Sequence, residues 1–263
     1  MTSKEPHQPD NRERESVRSS VSRRDPNLKF AIIAAIGVTI LLAGLFAIFA
    51  TRTSNQTNPS GPIRVSGIPA TIPTSLANLM ALSPIPNTKA HAITLTDQNG
   101  RPISLASFKG RAVVLDFMDP HCVDICPIIS QELIDAYKDL GAQASRVAFL
   151  AVNVNRFHTS IGAIRTFTNE HFLSTIPSWH FLTGSPTALK PIWAAYAVTV
   201  VAPSPSADII HSSFIYFIDA SGRERYLANP TDLHTASGKA YLPAGPLAEW
   251  GKGIALVVKS LVK

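Results

Sequence analysis

Two hydrophobic periods alternate along the C-terminal part of this chain, and the points where they switch outline an α/β domain. Ala92-Ile93-Thr94-Leu95-Thr96 alternates as a half-buried strand does. Asn99-Gly100 is a tight-turn pair, so a second short strand is expected near Ile103. The runs 112–118 and 147–152 are almost continuously apolar, the pattern of strands covered on both faces of a parallel sheet. Between them Ile129, Leu133, Ala136, Tyr137 and Leu140 recur at helical spacing. Pro127 suits the first helical position and Gly141 the stop. Further helices are expected over 159–172 and 186–197, with strands over 179–182 and 213–219. Ser221-Gly222 turns the chain into one more strand, and a terminal helix is expected over 247–262 with Pro246 at its start.

Strand, helix, strand, helix, then a hairpin and a final helix is a thioredoxin-like order, here with an N-terminal hairpin extension. In that fold the end of the first central strand faces the segment that precedes the hairpin. Those two places hold Cys122-Val123-Asp124-Ile125-Cys126-Pro127 and Ile210-His211-Ser212-Ser213.

The N-terminal part has a different texture. Residues 1–29 are polar and charged and have too few apolar residues to build a core, so they read as a disordered arm. Residues 30–50 carry no charged residue. As a helix they would be roughly 30 Å long, enough to cross a bilayer. The apolar stretch exceeds the roughly 7–15 residues of a secretory signal, so an uncleaved anchor is expected. Arg18, Arg23, Arg24 and Lys29 flank it on one side and Arg52 on the other. Positive charge stays inside, which puts the N-terminus in the cytoplasm (or a mitochondrial matrix) and the rest of this single-pass chain outside. Residues 51–90 are rich in Pro, Ser and Thr and read as a spacer, with a short helix near 75–82. Residues 91–263 remain for one folded domain. The net charge of +6 is not gathered into a stripe interleaved with aromatics, so nucleic-acid binding has no support.

The chain has two cysteines, four positions apart at a strand-to-helix junction. A helix N-terminus stabilises thiolate, the form that bonds metals and attacks disulfides. Three readings are open: a structural disulfide, which would close a very small loop and add little stability; a dithiol redox centre; and two ligands of a soft-metal site that needs another donor. An extracytoplasmic location permits a Cys122–Cys126 disulfide when metal is absent.

Lys109-Gly110 with its strand, Cys-x-x-x-Cys-Pro at 122–127, Leu-Thr-Gly at 182–184, and His211-Ser212 leading into the strand Phe214-Ile215-Tyr216-Phe217-Ile218-Asp219 resemble the SCO/SenC family. These are membrane-anchored, thioredoxin-like copper chaperones for cytochrome c oxidase assembly, and the resemblance covers roughly 90–260. It implies copper ligation by Cys122, Cys126 and His211, with Cu(I) as cargo and Cu(II) as a further form. Two sulfurs and one imidazole agree with that, because thiolates select Cu(I) and structural zinc normally takes four protein ligands. His121 and Asp124 are candidate auxiliary ligands. His158 is a further candidate for the same rim, and Met118 and Asp119 have packing or loop-orienting readings. The partners implied are an oxidase subunit with a copper centre, an upstream copper donor and a thiol reductant. The sequence departs from the family pattern in three places. Val123 stands where proline is usual, Ile210 where aspartate is usual, and 153–157 lacks the family's acidic segment. A membrane-tethered thiol–disulfide oxidoreductase using Cys122 and Cys126, or a copper or redox sensor, are the alternatives. The composition of 203–208 suggests a mobile loop that lets His211 swing onto a metal.

Overall fold

The computed structural model describes residues 65–262, which belong to the compact unit Pro62–Lys263. The expected arm and the anchor at 30–50 lie outside the described residues. Among the described residues no helix is long and apolar enough to cross a membrane.

The core is an eight-stranded mixed sheet. In chain order its strands are β1 (Ser83–Pro84), β2 (Thr94–Asp97), β3 (Pro102–Ser104), β4 (Ala112–Met118), β5 (Val147–Asn153), β6 (Trp179–Thr183), β9 (Ile215–Ile218) and β10 (Glu224–Ala228). Across the sheet they run β1-β10-β9-β4-β5-β6-β2-β3. β4, β5 and β6 are parallel neighbours, whereas β9 lies antiparallel to β4 and forms a hairpin with β10. This is the expected α/β, thioredoxin-like architecture. The hairpin extension β2–β3 adds to the far edge through β6.

Successive side chains of β4 point to opposite faces, and the core divides accordingly. Ala112, Val114 and Met118 join a cluster under α1 (Thr74–Leu79), α2 (Ile125–Leu140), α3 (Ile161–Glu170) and α5 (Ala244–Lys259). Val113, Leu115 and Phe117 join a second cluster under α4 (Pro186–Ala195). With both faces covered, β4 and β5 are buried throughout, which is why they read as unbroken apolar runs. Helices α2 and α5 cross closely at Gly251, where an added Cβ would stand 2.7 Å from Asp135 Cβ.

Three boundaries differ from those expected. Packed structure begins before residue 91: Ile72, Leu76, Met80 and Leu82 are buried, so the described part of the proline-rich segment covers the α5 side of the core. Helix α2 starts at Ile125, two residues ahead of Pro127, which the first turn tolerates because its amides have no intrahelical acceptor. Helix α5 starts at Ala244 with Pro246 likewise in its first turn. Two small ribbons had no sequence signal: β7 (Val200–Val201) with β8 (Ile210–His211), and β11 (Leu233–His234) with β12 (Ala240–Tyr241). Pairs two residues long are too short to show a period.

Candidate metal centre

The loop after β4 puts the two cysteines in different environments. Cys126 is fully buried in the first turn of α2, while Cys122 is half-buried in the loop; both are free thiols. The backbone N–H of Cys126 donates to Cys122 Sγ at 3.3 Å. The Cys126 thiol and the amides of the helix start therefore hold Cys122 below the ordinary thiol range, against the opposing effect of burial. Cys126 is pushed well above that range by its hydrogen bond to Cys122 and by desolvation. Of the two sulfurs, Cys122 is therefore the one that ionises more readily.

Asp119, for which a loop-orienting reading was open, holds the loop in place together with Asn153 and Asn155, which the spacing gave no sign of. Asp119 is buried, and its Oδ1 accepts from the His121 N–H at 2.8 Å and from Asn155 Nδ2 at 2.9 Å. Asn153 in turn donates to Thr183 Oγ1 and to the His158 carbonyl. Asn153 and Asn155 thus fold the divergent segment after β5 into a turn that grips the cysteine loop. Met118 is fully buried, as packing requires.

His211 enters from the β7–β8 ribbon, and Cys122 and His211 line one cleft of about 620 Å³. His211 Nδ1 lies 3.0 Å from the Ser212 carbonyl, which can only accept, so Nδ1 carries the proton and Nε2 has the free lone pair. Burial lowers the His211 pKa and favours the neutral, ligating ring. Cys122, Cys126 and His211 do not form a group whose donor atoms all lie within 4.8 Å; among the described residues Asp124, Asp232 and His234 do. The cleft is open, and ligation of one ion by all three predicted residues requires their donor atoms to draw closer together than they stand here. Its ribbon leads out of the 202–208 loop, which is tied at its start by Arg156 to the Ala202 carbonyl and by His158 to the Pro205 carbonyl.

The other expected residues are placed as follows. His121 stacks on His158 with ring centroids 3.7 Å apart, so the two form a pair at the rim. Asp124 faces His234 and not the cysteines. The spacing gave no sign of this pairing, because 110 residues separate His234 from Asp124. Val123 and Ile210, two of the departures from the family pattern, are 89% and 69% exposed and give the cleft an apolar rim. A second cleft, lined by Lys89, His91, Lys109 and Arg111 among others, opens at the opposite end of β4.

A model of the SCO1/SenC family matches residues 85–237. The chain is 26% identical over 139 residues to an SCO1 protein homolog of Bacillus subtilis, covering 52% of this chain and 72% of that protein. It is 27% identical over 135 residues to a mitochondrial SCO2 homolog of Bos taurus and spans about half the length of that relative, 49%. Among solved structures, a SCO1/SenC family lipoprotein from Bacillus anthracis aligns with a TM-score of 0.54 at 21% identity, covering 69% of this chain and 98% of that one. ScoI of Bradyrhizobium japonicum, solved with copper bound, aligns with a TM-score of 0.51 at 21% identity, covering 66% and 99%. At these identities the structural likeness establishes a shared fold.

Proposed function

The chain belongs to the SCO1/SenC family, and on that premise we propose that it is a copper carrier whose cargo is held by Cys122, Cys126 and His211 and passed to the copper centre of a cytochrome c oxidase subunit. The observation that carries this reading is the shared cleft: Cys122, whose thiol pKa is lowered, and His211, whose Nδ1 is engaged with the Ser212 carbonyl so that Nε2 is left as the ligating nitrogen, line the same open space. Two sulfurs favour Cu(I), and one imidazole also accommodates Cu(II). A carrier must release what it binds, and a site whose donors come from two separate elements, the cysteine loop and the two-stranded β7–β8 ribbon, suits that requirement. The exposed Val123 and Ile210 give a partner an apolar surface beside the metal. An upstream donor loads the site, a thiol reductant keeps both sulfurs available, and residues 30–50 anchor the domain on the outer side of a membrane.

The test is an anaerobic titration of Cu(I) into reduced protein against a competing chelator, with His211→Ala beside it. One tightly bound copper per chain, weakened strongly by the substitution, is the expected result. Equal binding by the variant would remove His211 from the site.

One observation favours a second reading. The half-exposed, low-pKa Cys122 beside the buried, high-pKa Cys126 is the division of labour of an attacking and a resolving thiol. A membrane-tethered thiol–disulfide oxidoreductase would need both cysteines and tolerate loss of His211, so the same variant separates the two readings.

A further inference from the structure

A second group of metal-ligating side chains stands beside the cysteine cleft. Asp124 lies between the two cysteines, whereas Asp232 and His234 come from the β11–β12 ribbon. Residues 237–240 of that ribbon line the same cleft, and β12 packs on α2, which fixes the ribbon over the start of the helix. His234 Nε2 is 3.2 Å from Asp124 Oδ1 and 3.5 Å from Asp232 Oδ2, and one donor atom from each of the three residues lies within 4.8 Å of the others. Donors bound about 2.0–2.2 Å from a tetrahedral ion stand roughly 3.3–3.6 Å apart; the two distances from His234 match that spacing, and the carboxylates stand within 4.8 Å of one another. Asp124 occupies the N-cap position of α2, where aspartate ordinarily accepts a backbone N–H, yet its side chain makes no cap hydrogen bond and turns to His234.

We propose that Asp124, Asp232 and His234 form a second metal site, of nitrogen–oxygen type, for a divalent borderline ion of the Cu(II) or Zn(II) class. One imidazole and two carboxylates disfavour Cu(I), which the thiolates select, so the two sites sort by oxidation state. Three protein ligands leave one coordination position open. The side chains of Asp124 and His234 are 54% and 48% exposed, so the ion exchanges readily with solvent, and Asp232 at 19% is the most buried of the three. Because Asp124 belongs to the cysteine loop, an ion held here sits next to the sulfur site.

The test uses the full chain in detergent micelles with Cys122→Ser and Cys126→Ser, which removes the sulfur donors. Zn(II) is titrated against a chromophoric chelator, and Cu(II) is then added for paramagnetic resonance. One Zn(II) per chain is expected, weakened by more than the roughly 10–100-fold that outer-shell changes cost when His234→Ala or Asp232→Asn is added. The Cu(II) spectrum should report one imidazole nitrogen, lost with His234→Ala and kept with His211→Ala. No Zn(II) binding by the sulfur-free protein, or binding indifferent to His234→Ala, or binding lost equally with His211→Ala, would overturn the proposal and leave the three residues as an ion pair. The Cu(I) site of the proposed function is absent from this background, so the two readings succeed or fail separately.

Discussion

Asp116 lies in the middle of β4, on the side facing α2, and is fully buried. Its Oδ1 accepts the Phe117 N–H at 2.7 Å, whereas Oδ2 has no partner. Desolvation, with the nearby Cys122 charge adding to it, raises its pKa from the ordinary 3.8 to about 8. Glu132, buried on α2 with neither carboxyl oxygen paired, is pushed up by desolvation and by Asp116. Between about pH 4 and pH 8 the folded protein therefore keeps a proton on Asp116 that the unfolded chain has released. The stability that goes with this proton is fully present below about pH 3.8 and is lost as pH rises toward about 8. The slope is about 1.4 kcal/mol per pH unit for one proton, or roughly 6 kcal/mol at most across the window. Asp116→Asn removes this titration. The buried amide still lacks a partner, which costs about 1–3 kcal/mol, but that offset does not vary with pH. Urea unfolding of the reduced Pro62–Lys263 unit, followed by its buried tryptophans, should show the wild type losing about 3 kcal/mol more than the variant between pH 5 and pH 7. Parallel pH dependence of the two proteins would refute a neutral Asp116.

Other consequences follow from the same structure. Under limiting iodoacetamide Cys122 should be alkylated well before Cys126, at a pH below that of an ordinary thiol, as read by peptide mass mapping; equal labelling would contradict the opposite pKa shifts of the two sulfurs. Asn155→Ala removes a buried donor to the Asp119 carboxylate and should cost about 1.5–3 kcal/mol, with faster amide exchange at His121 and Cys122; unchanged exchange would mean the loop holds its shape without Asn155. Gly251→Ala forces a methyl against Asp135 Cβ and the Ala136 amide at 2.7 and 3.1 Å and should destabilise by about 1–3 kcal/mol, read as a lower urea midpoint.

The sequence alone determined the architecture of the domain, because burial on two faces, helical spacing and tight-turn pairs are local properties of the chain. The unbroken apolar runs of β4 and β5, the helical repeat of α2 and the Asn99-Gly100 turn each act through neighbours a few residues away. The position of the cysteines at a strand-to-helix junction was legible for the same reason, and with the thioredoxin-like order it marked His211 as the facing residue. Only the tertiary structure decided what surrounds them. The Asp119–Asn155 bond spans 36 residues and the Asp124–His234 pair spans 110, and no periodicity connects such positions. The division between a low-pKa Cys122 and a high-pKa Cys126 also had to await the fold. It depends on where α2 begins and on which sulfur the helix buries, and the helix begins two residues before the proline that seemed to open it. Residues 65–90 carry the composition of a spacer, yet Ile72, Leu76 and Met80 are buried there, because what a proline-rich stretch covers depends on the surface it meets.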